Sequence, residues 1–77
     1  MHKKEFCLLL LRYIKDGFEK VDIETRTITV EFDFSKNIII TRKYYFLIVE
    51  PGAMKTKIYY KDVKAINLDS VKFRMKK

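Results

Sequence analysis

The chain has 77 residues, of which 48% are hydrophobic and 14% aromatic, so it can build the core of one small domain and no more. Its single cysteine excludes an internal disulfide, and a lone thiol in an apolar run is typical of a reducing compartment, which predicts a cytoplasmic protein. The apolar run near the N-terminus, residues 6–11, is too short for a secretory signal or for a membrane span of about 20 residues, so we expect no membrane association.

The formal net charge of +7 is distributed unevenly along the chain. Residues 1–33 carry six Lys/Arg against seven Asp/Glu, whereas residues 34–77 carry eleven Lys/Arg against three Asp/Glu. The excess of positive charge therefore belongs to the second half, which is typical of a surface that faces a polyanion. The alternative is that the positive charge serves only to keep a small, apolar-rich protein in solution, which explains the same distribution of Lys and Arg.

Residues 3–16 predict a helix. Its apolar side chains recur at the spacing i, i+3, i+4 and i+7, at Phe6, Leu9, Leu10 and Tyr13. Gly17 follows where a left-handed residue ends a helix, and Phe18 can then contact Tyr13. No good N-cap residue precedes the helix, so we expect its first residues to fray. Leu8 and Leu11 extend the apolar surface around the helix, which indicates self-association.

Residues 21–34 alternate apolar and polar side chains, which predicts a strand, but the phase of the alternation slips. Val21 and Ile23 are odd-numbered, whereas Ile28 and Phe32 are even-numbered. We interpret the slip as a β-bulge or bend near residues 24–27 in one continuous strand. Residues 35–37 then form a short hairpin loop that pairs this strand with the next one, with Phe32 opposite Ile40 and the even-numbered side chains of both in the core.

Residues 38–50 are apolar at most positions, which predicts a strand with both faces occupied. The even-numbered apolar residues of this strand and of the next one, residues 54–61, are assigned to the core: Ile38, Ile40, Tyr44, Phe46, Ile48, Met54, Ile58 and Tyr60. A turn at Pro51 and Gly52 connects the two strands, and a three-residue loop sets their register. In this register the odd-numbered residues Lys55, Lys57, Tyr59 and Lys61 lie opposite Val49, Leu47, Tyr45 and Lys43.

The end of the chain predicts a last hairpin, with strands at residues 64–68 and 71–75 joined by a turn at Asp69 and Ser70. A single helical turn within residues 62–67, capped by Asp62, is the alternative. A straight strand at residues 38–50 would extend about 43 Å, beyond the ~12 Å radius of such a domain, so it must bend. We therefore predict an α+β fold in which residues 1–77 form one domain. The N-terminal helix packs on a strongly bent antiparallel sheet of four or five strands, as in small barrel-like or half-barrel folds.

Catalysis has little support in this sequence. The one histidine is His2, beside the N-terminus, and Cys7 lies in the apolar part of the predicted helix, where it is a packed hydrophobe. Gly17 and Gly52 are the only glycines, and neither belongs to a phosphate-binding loop. We therefore predict a protein that is not an enzyme and that needs no metal and no cofactor.

The odd-numbered face of the predicted sheet combines lysines with tyrosines. This is the chemistry that binds single-stranded nucleic acid, because cations neutralise phosphates and flat rings stack on bases. The predicted binding residues are Arg42, Lys43, Tyr45, Lys55, Lys57, Tyr59 and Lys61. No motif that reads bases is present, so the sequence does not distinguish DNA from RNA.

A regulatory protein-interaction or inhibitor module is the alternative function. If they are exposed together, an apolar patch is formed by Ile39, Leu47 and Val49 on the odd-numbered face and by Leu8 and Leu11 on the helix. In the alternative, the predicted C-terminal hairpin folds over these residues and covers them. Such a module would bind an acidic protein partner or a second copy of the chain, and we expect a homodimer. Salt separates the two functions, because phosphate binding weakens steeply with ionic strength and an apolar interface does not.

Overall fold

The computed structural model describes residues 1–52 and 54–68. In chain order the elements are α1 (Lys3–Lys15), β1 (Lys20–Thr25), β2 (Thr29–Asp33), β3 (Ile38–Thr41), β4 (Tyr45–Val49), β5 (Lys55–Tyr59), a 3₁₀ turn (Tyr60–Asp62) and β6 (Val63–Leu68). One helix with antiparallel strands confirms the α+β class. The strand predicted at residues 71–75 and its turn at Asp69 and Ser70 lie outside the described residues.

The strands form two open antiparallel sheets of three strands each. The first sheet has the order β2-β1-β6, and the second has the order β3-β4-β5. The prediction of one bent, barrel-like sheet of four or five strands is therefore wrong. The physical reason is that each of the two long predicted strands reverses direction in its middle and becomes a hairpin.

The first reversal explains the slip in phase between residues 21 and 34. β1 and β2 pair antiparallel, with Val21 opposite Phe32 and Ile23 opposite Val30, so an odd-numbered residue always faces an even-numbered one. Thr25 closes the turn between them: its hydroxyl donates to the Ile28 carbonyl at 2.7 Å and accepts from the Ile28 N–H at 3.0 Å. The structure has a hairpin turn at this position, so the prediction of a β-bulge or bend in one continuous strand is wrong.

The second reversal divides the strand predicted at residues 38–50. β3 pairs with β4, from Ile38 opposite Val49 to Thr41 opposite Phe46, and the Arg42 N–H donates to the Tyr45 carbonyl at 2.8 Å across the turn. β2 and β3 lie in different sheets, so the predicted pairing of Phe32 with Ile40 is wrong.

The core lies between α1 and the inward faces of both sheets. Its buried apolar residues are Phe6, Leu10, Val21, Ile23, Phe32, Phe46, Ile48, Ile58, Tyr60, Val63 and Ile66. The even-numbered core residues of β4 and β5 are thus confirmed. Ile38, Tyr44 and Met54 are exposed instead, and Ile40 is half-buried and does not belong to the core. The turn at residues 42–44 moves the inward phase of β3 to odd numbers and leaves Tyr44 in the turn itself, and Met54 precedes β5.

The C-terminal end of α1 has the predicted geometry. Gly17 has φ +88°, its N–H donates to Ile14, and the Phe18 N–H donates back to the Tyr13 carbonyl, both at 3.1 Å. The rings of Tyr13 and Phe18 meet edge to face with centroids 6.0 Å apart, which confirms the predicted contact. The helix ends at Lys15, one residue earlier than predicted.

The N-terminal end of α1 is held in place, although the sequence predicted fraying. His2 makes no side-chain capping bond, as expected. The Met1 ammonium, however, donates to the carbonyls of Tyr60 and Val63, both at 3.1 Å. These bonds tie the start of α1 to the 3₁₀ turn and to β6. Within the described ranges, no helix has both the length and the apolar character needed to cross a membrane.

Candidate nucleic-acid interface

The outward face of β4 and β5 carries most of the predicted binding residues. Phe46, Ile48 and Ile58 point into the core, so the odd-numbered neighbours of these residues point outward. The observed register places Tyr45 opposite Tyr59, and the lysines of β5 lie opposite the apolar residues of β4, Lys57 with Leu47 and Lys55 with Val49. This part of the predicted register is confirmed. We call the residues Tyr45, Lys57 and Tyr59 the Tyr-Lys cluster.

The side chains of the Tyr-Lys cluster contact one another. The Tyr45 and Tyr59 rings pack edge to face at a tilted angle of 66°, with centroids 5.8 Å apart. The Lys57 ammonium lies 4.2 Å from the Tyr45 centroid and 5.2 Å from the Tyr59 centroid, so one cation lies over two rings. Cation–π contacts of this kind contribute about 0.5–1 kcal/mol at exposed sites. They hold Lys57 at the sheet surface, where its charge faces solvent.

Lys43 and Lys61 lie beside this cluster but are not strand partners as predicted. The chain turns into the 3₁₀ turn at Tyr60, and Lys43 lies in the turn between β3 and β4. The Lys61 ammonium lies 6.0 Å from the Tyr59 centroid, and the Lys43 ammonium lies 5.2 Å from the Tyr44 centroid. Each of the two lysines is therefore next to an exposed tyrosine ring.

A cleft of 790 Å³ opens between the start of α1 and these two turns; we call it the N-terminal cleft. It is lined by Met1, His2, Lys3, Lys43, Tyr44, Tyr59, Tyr60 and Lys61. None of these described lining residues is Asp or Glu. The cleft therefore presents clustered positive charge beside aromatic surface, which is the chemistry expected of a site for nucleic-acid phosphates and bases.

Five residues that line the N-terminal cleft were not predicted as binding residues: Met1, His2, Lys3, Tyr44 and Tyr60. Tyr44 was assigned to the core, but it lies in the turn after β3 and is 67% exposed. His2 and Lys3 reach the cleft because the Met1 ammonium binds backbone carbonyls of the 3₁₀ turn and β6. Any residue type supplies a carbonyl, so the sequence contains no signal for this contact.

Two predicted binding residues lie away from the others. Lys55 is at the opposite end of β5 from Tyr59, four residues or about 13 Å along the strand. Arg42 lies next to Lys43 in the turn after β3, with an exposed side chain, but it does not line the N-terminal cleft. The structure thus groups Lys43, Tyr45, Lys57, Tyr59 and Lys61, and leaves Arg42 and Lys55 at the edges.

Tyr60 forms the buried floor between the cleft and the core. Its side chain is 4% exposed, and its hydroxyl has no hydrogen-bond partner. Burial raises the pKa of the Tyr60 phenol because the phenolate would lose its hydration, and the nearby Cys7 thiol raises this pKa further when ionised. The backbone N–H of Arg42 lowers this pKa by a smaller amount, and in the structure that N–H donates to the Tyr45 carbonyl at 2.8 Å.

The cysteine and the histidine of this chain lie in α1 and just before it. Cys7 is half-buried in α1, and His2 is exposed at the rim of the cleft. In residues 1–52 and 54–68, no three His, Cys, Asp or Glu side chains are grouped so that they could hold a metal ion.

The chain matches no protein-family model, no curated protein and no solved structure.

Proposed function

We propose that this protein binds single-stranded nucleic acid, with little sequence preference, through the outward face of β4 and β5. The observation that carries the proposal is the Lys57 ammonium, held 4.2 Å and 5.2 Å from the centroids of two packed tyrosine rings. Lys43 and Lys61 extend the positive charge on the side of the N-terminal cleft. Cations placed beside aromatic rings support the binding of phosphates and bases.

The residues on the outward face of β4 and β5 have different roles in binding. Lys43, Lys57 and Lys61 neutralise phosphates, which releases counterions and makes the affinity depend on salt. Tyr59 is 41% exposed and offers a ring on which a base stacks. Tyr45 is half-buried beneath Lys57, so its main part is to position that lysine and the Tyr59 ring. Arg42 and Lys55 contact the bound nucleic acid only where it extends beyond Lys43, Lys57, Tyr59 and Lys61.

A titration of labelled single-stranded oligonucleotides at two or more salt concentrations tests the proposal. For about three neutralised phosphates, log K should fall with log[salt] with a slope of about −2, since each contact on a single strand contributes about −0.7. DNA and RNA oligonucleotides of several sequences should bind with similar affinity. The absence of binding at low salt, where a protein of net charge +7 is most favoured, would refute the proposal.

A second candidate function is self-association through α1. Leu8 and Leu11 are 59% and 61% exposed, and Ile14 is also exposed on this helix. α1 has Glu5 in its first turn and Arg12 and Lys15 in its last turn. An antiparallel pairing of α1 with α1 of a second copy would place Leu8 opposite Leu11 and bring Glu5 near the basic turn of the other helix. This candidate needs no nucleic acid, and its test is the mass of the protein in solution.

A further inference from the structure

We infer that the N-terminal cleft binds a nucleotide with a terminal phosphate monoester, as found at the end of a nucleic-acid strand. This inference rests on the proposed function, since it names the part of the ligand that the same surface prefers. The cleft has a volume of 790 Å³, within the ~300–1,000 Å³ of small-molecule sites. It shares Lys43, Tyr59 and Lys61 with the proposed interface and adds Lys3 and Tyr44.

The charge of the cleft suits a monoester better than the diester inside a strand. Three lysines line it from three elements: Lys3 begins α1, Lys43 lies in the turn after β3, and Lys61 lies in the 3₁₀ turn. None of the described lining residues is acidic, and a cleft lined by one sign of charge concentrates its potential. A phosphate monoester carries a charge of about −1.5 to −2 at pH 7, whereas each internal phosphate carries a single charge. The cleft should therefore bind the phosphorylated end of a nucleic-acid strand more tightly than a phosphate inside the strand.

The aromatic walls of the cleft favour a nucleotide over inorganic phosphate. Tyr44 is 67% exposed and Tyr59 is 41% exposed. Lys43 lies 5.2 Å from the Tyr44 centroid, and Lys61 lies 6.0 Å from the Tyr59 centroid. A base that stacks on either ring thus has a cation beside it for its own phosphate.

The cleft is held in shape before any ligand arrives. The Met1 ammonium donates to the carbonyls of Tyr60 and Val63 at 3.1 Å, which fixes residues 1–3 beside the 3₁₀ turn. Lys3 is therefore kept at the cleft although its own side chain is exposed. A site that is already assembled loses less entropy when it binds.

The test compares the full chain on one oligonucleotide sequence with a 5′-phosphate, with a 3′-phosphate and with hydroxyl groups at both ends, by fluorescence polarisation at low salt. We expect at least one phosphorylated form to bind about tenfold more tightly than the hydroxyl form, the gain of one further charge-assisted contact. The two phosphorylated forms show which strand end is preferred. Equal binding of all three would overturn the inference and leave the proposed function intact.

Two single substitutions on adjacent residues locate the effect. Lys3→Gln should remove most of the preference for the phosphorylated strand, because Lys3 lines the cleft. Lys4→Gln makes the same change of charge one residue away, on a side chain that lines a different groove with Glu5 and Leu8, and should keep the preference. A preference that survives Lys3→Gln unchanged would overturn the assignment of the cleft.

Mononucleotides separate failure of this inference from failure of the proposed function. Adenosine 5′-monophosphate should shift the amide NMR signals of residues 2–3, 43–44 and 59–61, whereas adenosine and inorganic phosphate alone should shift them less at equal concentration. If oligonucleotides fail to bind but the monophosphate produces these shifts, the cleft is a nucleotide site and the proposed function is wrong. If neither adenosine 5′-monophosphate nor adenosine 3′-monophosphate produces these shifts, the inference is overturned.

Discussion

The ring of Phe6 in α1 stacks on the ring of Phe46 in β4, with centroids 4.3 Å apart and an interplanar angle of 23°. Both side chains are fully buried, and Tyr60 meets Phe6 edge to face at 5.5 Å. These three rings join the helix to the second sheet and to the 3₁₀ turn. The position of the N-terminal cleft relative to the outward face of β4 and β5 therefore depends on this contact.

Phe6→Ala should lower the free energy of unfolding by about 3–5 kcal/mol, because it removes a fully buried ring and leaves a cavity against Phe46. Lys4→Ala, on the exposed surface of the same helix, should change it by less than about 0.5 kcal/mol. Urea unfolding followed by circular dichroism measures both. Similar losses for the two variants would mean that α1 does not pack as described.

Tyr60→Phe should raise the free energy of unfolding by about 1 kcal/mol. The Tyr60 hydroxyl is buried without a hydrogen-bond partner, and a buried group of this kind costs about 1–3 kcal/mol. The shape of the ring is kept, so its contacts with Phe6 and Phe46 remain. Thermal unfolding of the two proteins at neutral pH measures the difference. A large loss of stability would show that the hydroxyl has a partner in solution.

The same variant should change how stability depends on alkaline pH. The pKa of Tyr60 is raised above its ordinary value of 10.0 in the folded protein, so the unfolded state releases this proton first. The contribution of Tyr60 to the free energy of unfolding is present below pH 10. It is lost as the pH rises from 10 through the pKa that Tyr60 has in the folded protein. The advantage of Tyr60→Phe should therefore grow above pH 10. An advantage that shrinks there would contradict the described burial.

The turn between β2 and β3 depends on one carboxylate. Asp33 accepts hydrogen bonds from the N–H and hydroxyl of Ser35 at 2.8 and 2.6 Å, and these bonds lower the pKa of Asp33 below its ordinary value of 3.8. Asp33→Asn should therefore reduce stability at neutral pH. A group with a lowered pKa contributes above its unfolded pKa and loses that contribution as the pH falls through the folded value, so the two proteins should become equally stable in acid.

A double-mutant cycle with Ser35→Ala identifies the cause of the Asp33 effect. In the Ser35→Ala background one of the two bonds is already absent, so Asp33→Asn should cost less than it does in the wild type. The measurement is thermal unfolding of the four proteins between pH 2 and pH 7. Strictly additive losses would mean that the hydroxyl bond to Asp33 does not form in solution.

The sequence predicted those parts of the structure that are marked by residues close together in the chain. The end of α1 was predictable because Gly17 and Phe18 form a local ending motif, and the register of β4 and β5 followed from their alternation around Pro51 and Gly52. The two chain reversals were not predictable in the same way. Neither residues 26–27, Arg-Thr, nor residues 42–44, Arg-Lys-Tyr, contain the Gly, Pro, Asn or Asp that mark tight turns.

The candidate site shows the same division. The Tyr-Lys cluster was predictable because it follows from side-chain alternation on two adjacent strands. The N-terminal cleft was not, since Lys3 and Tyr44 come together through a backbone contact of Met1 and through an unmarked turn. The sequence thus predicted the part of the candidate site that lies on strands, together with Lys43 and Lys61 in the turns, and missed Lys3 and Tyr44.

Self-association through α1 is tested by Leu11→Glu. In the wild type we expect light scattering at high micromolar concentration to give twice the 9.3 kDa mass of the chain, and Leu11→Glu should restore the single mass because it puts a charge in the apolar contact. Met54→Glu, an exposed apolar residue away from α1, is the matched control and should leave the larger particle unchanged. A wild type that stays at 9.3 kDa would rule out this candidate.

The proposed interface predicts different effects for its cations and its rings. Lys57→Gln should weaken binding of every single-stranded oligonucleotide and make the salt slope shallower by about 0.7, because one phosphate contact is lost. Tyr59→Ala should weaken binding by about 1–3 kcal/mol with no change in slope, since stacking releases no counterions. Lys64→Gln removes the same charge from β6 in the other sheet, where Lys64 lies 3.5 Å from Glu24. If Lys64→Gln weakens binding and lowers the salt slope as much as Lys57→Gln does, binding follows net charge alone and the face of β4 and β5 is not the site.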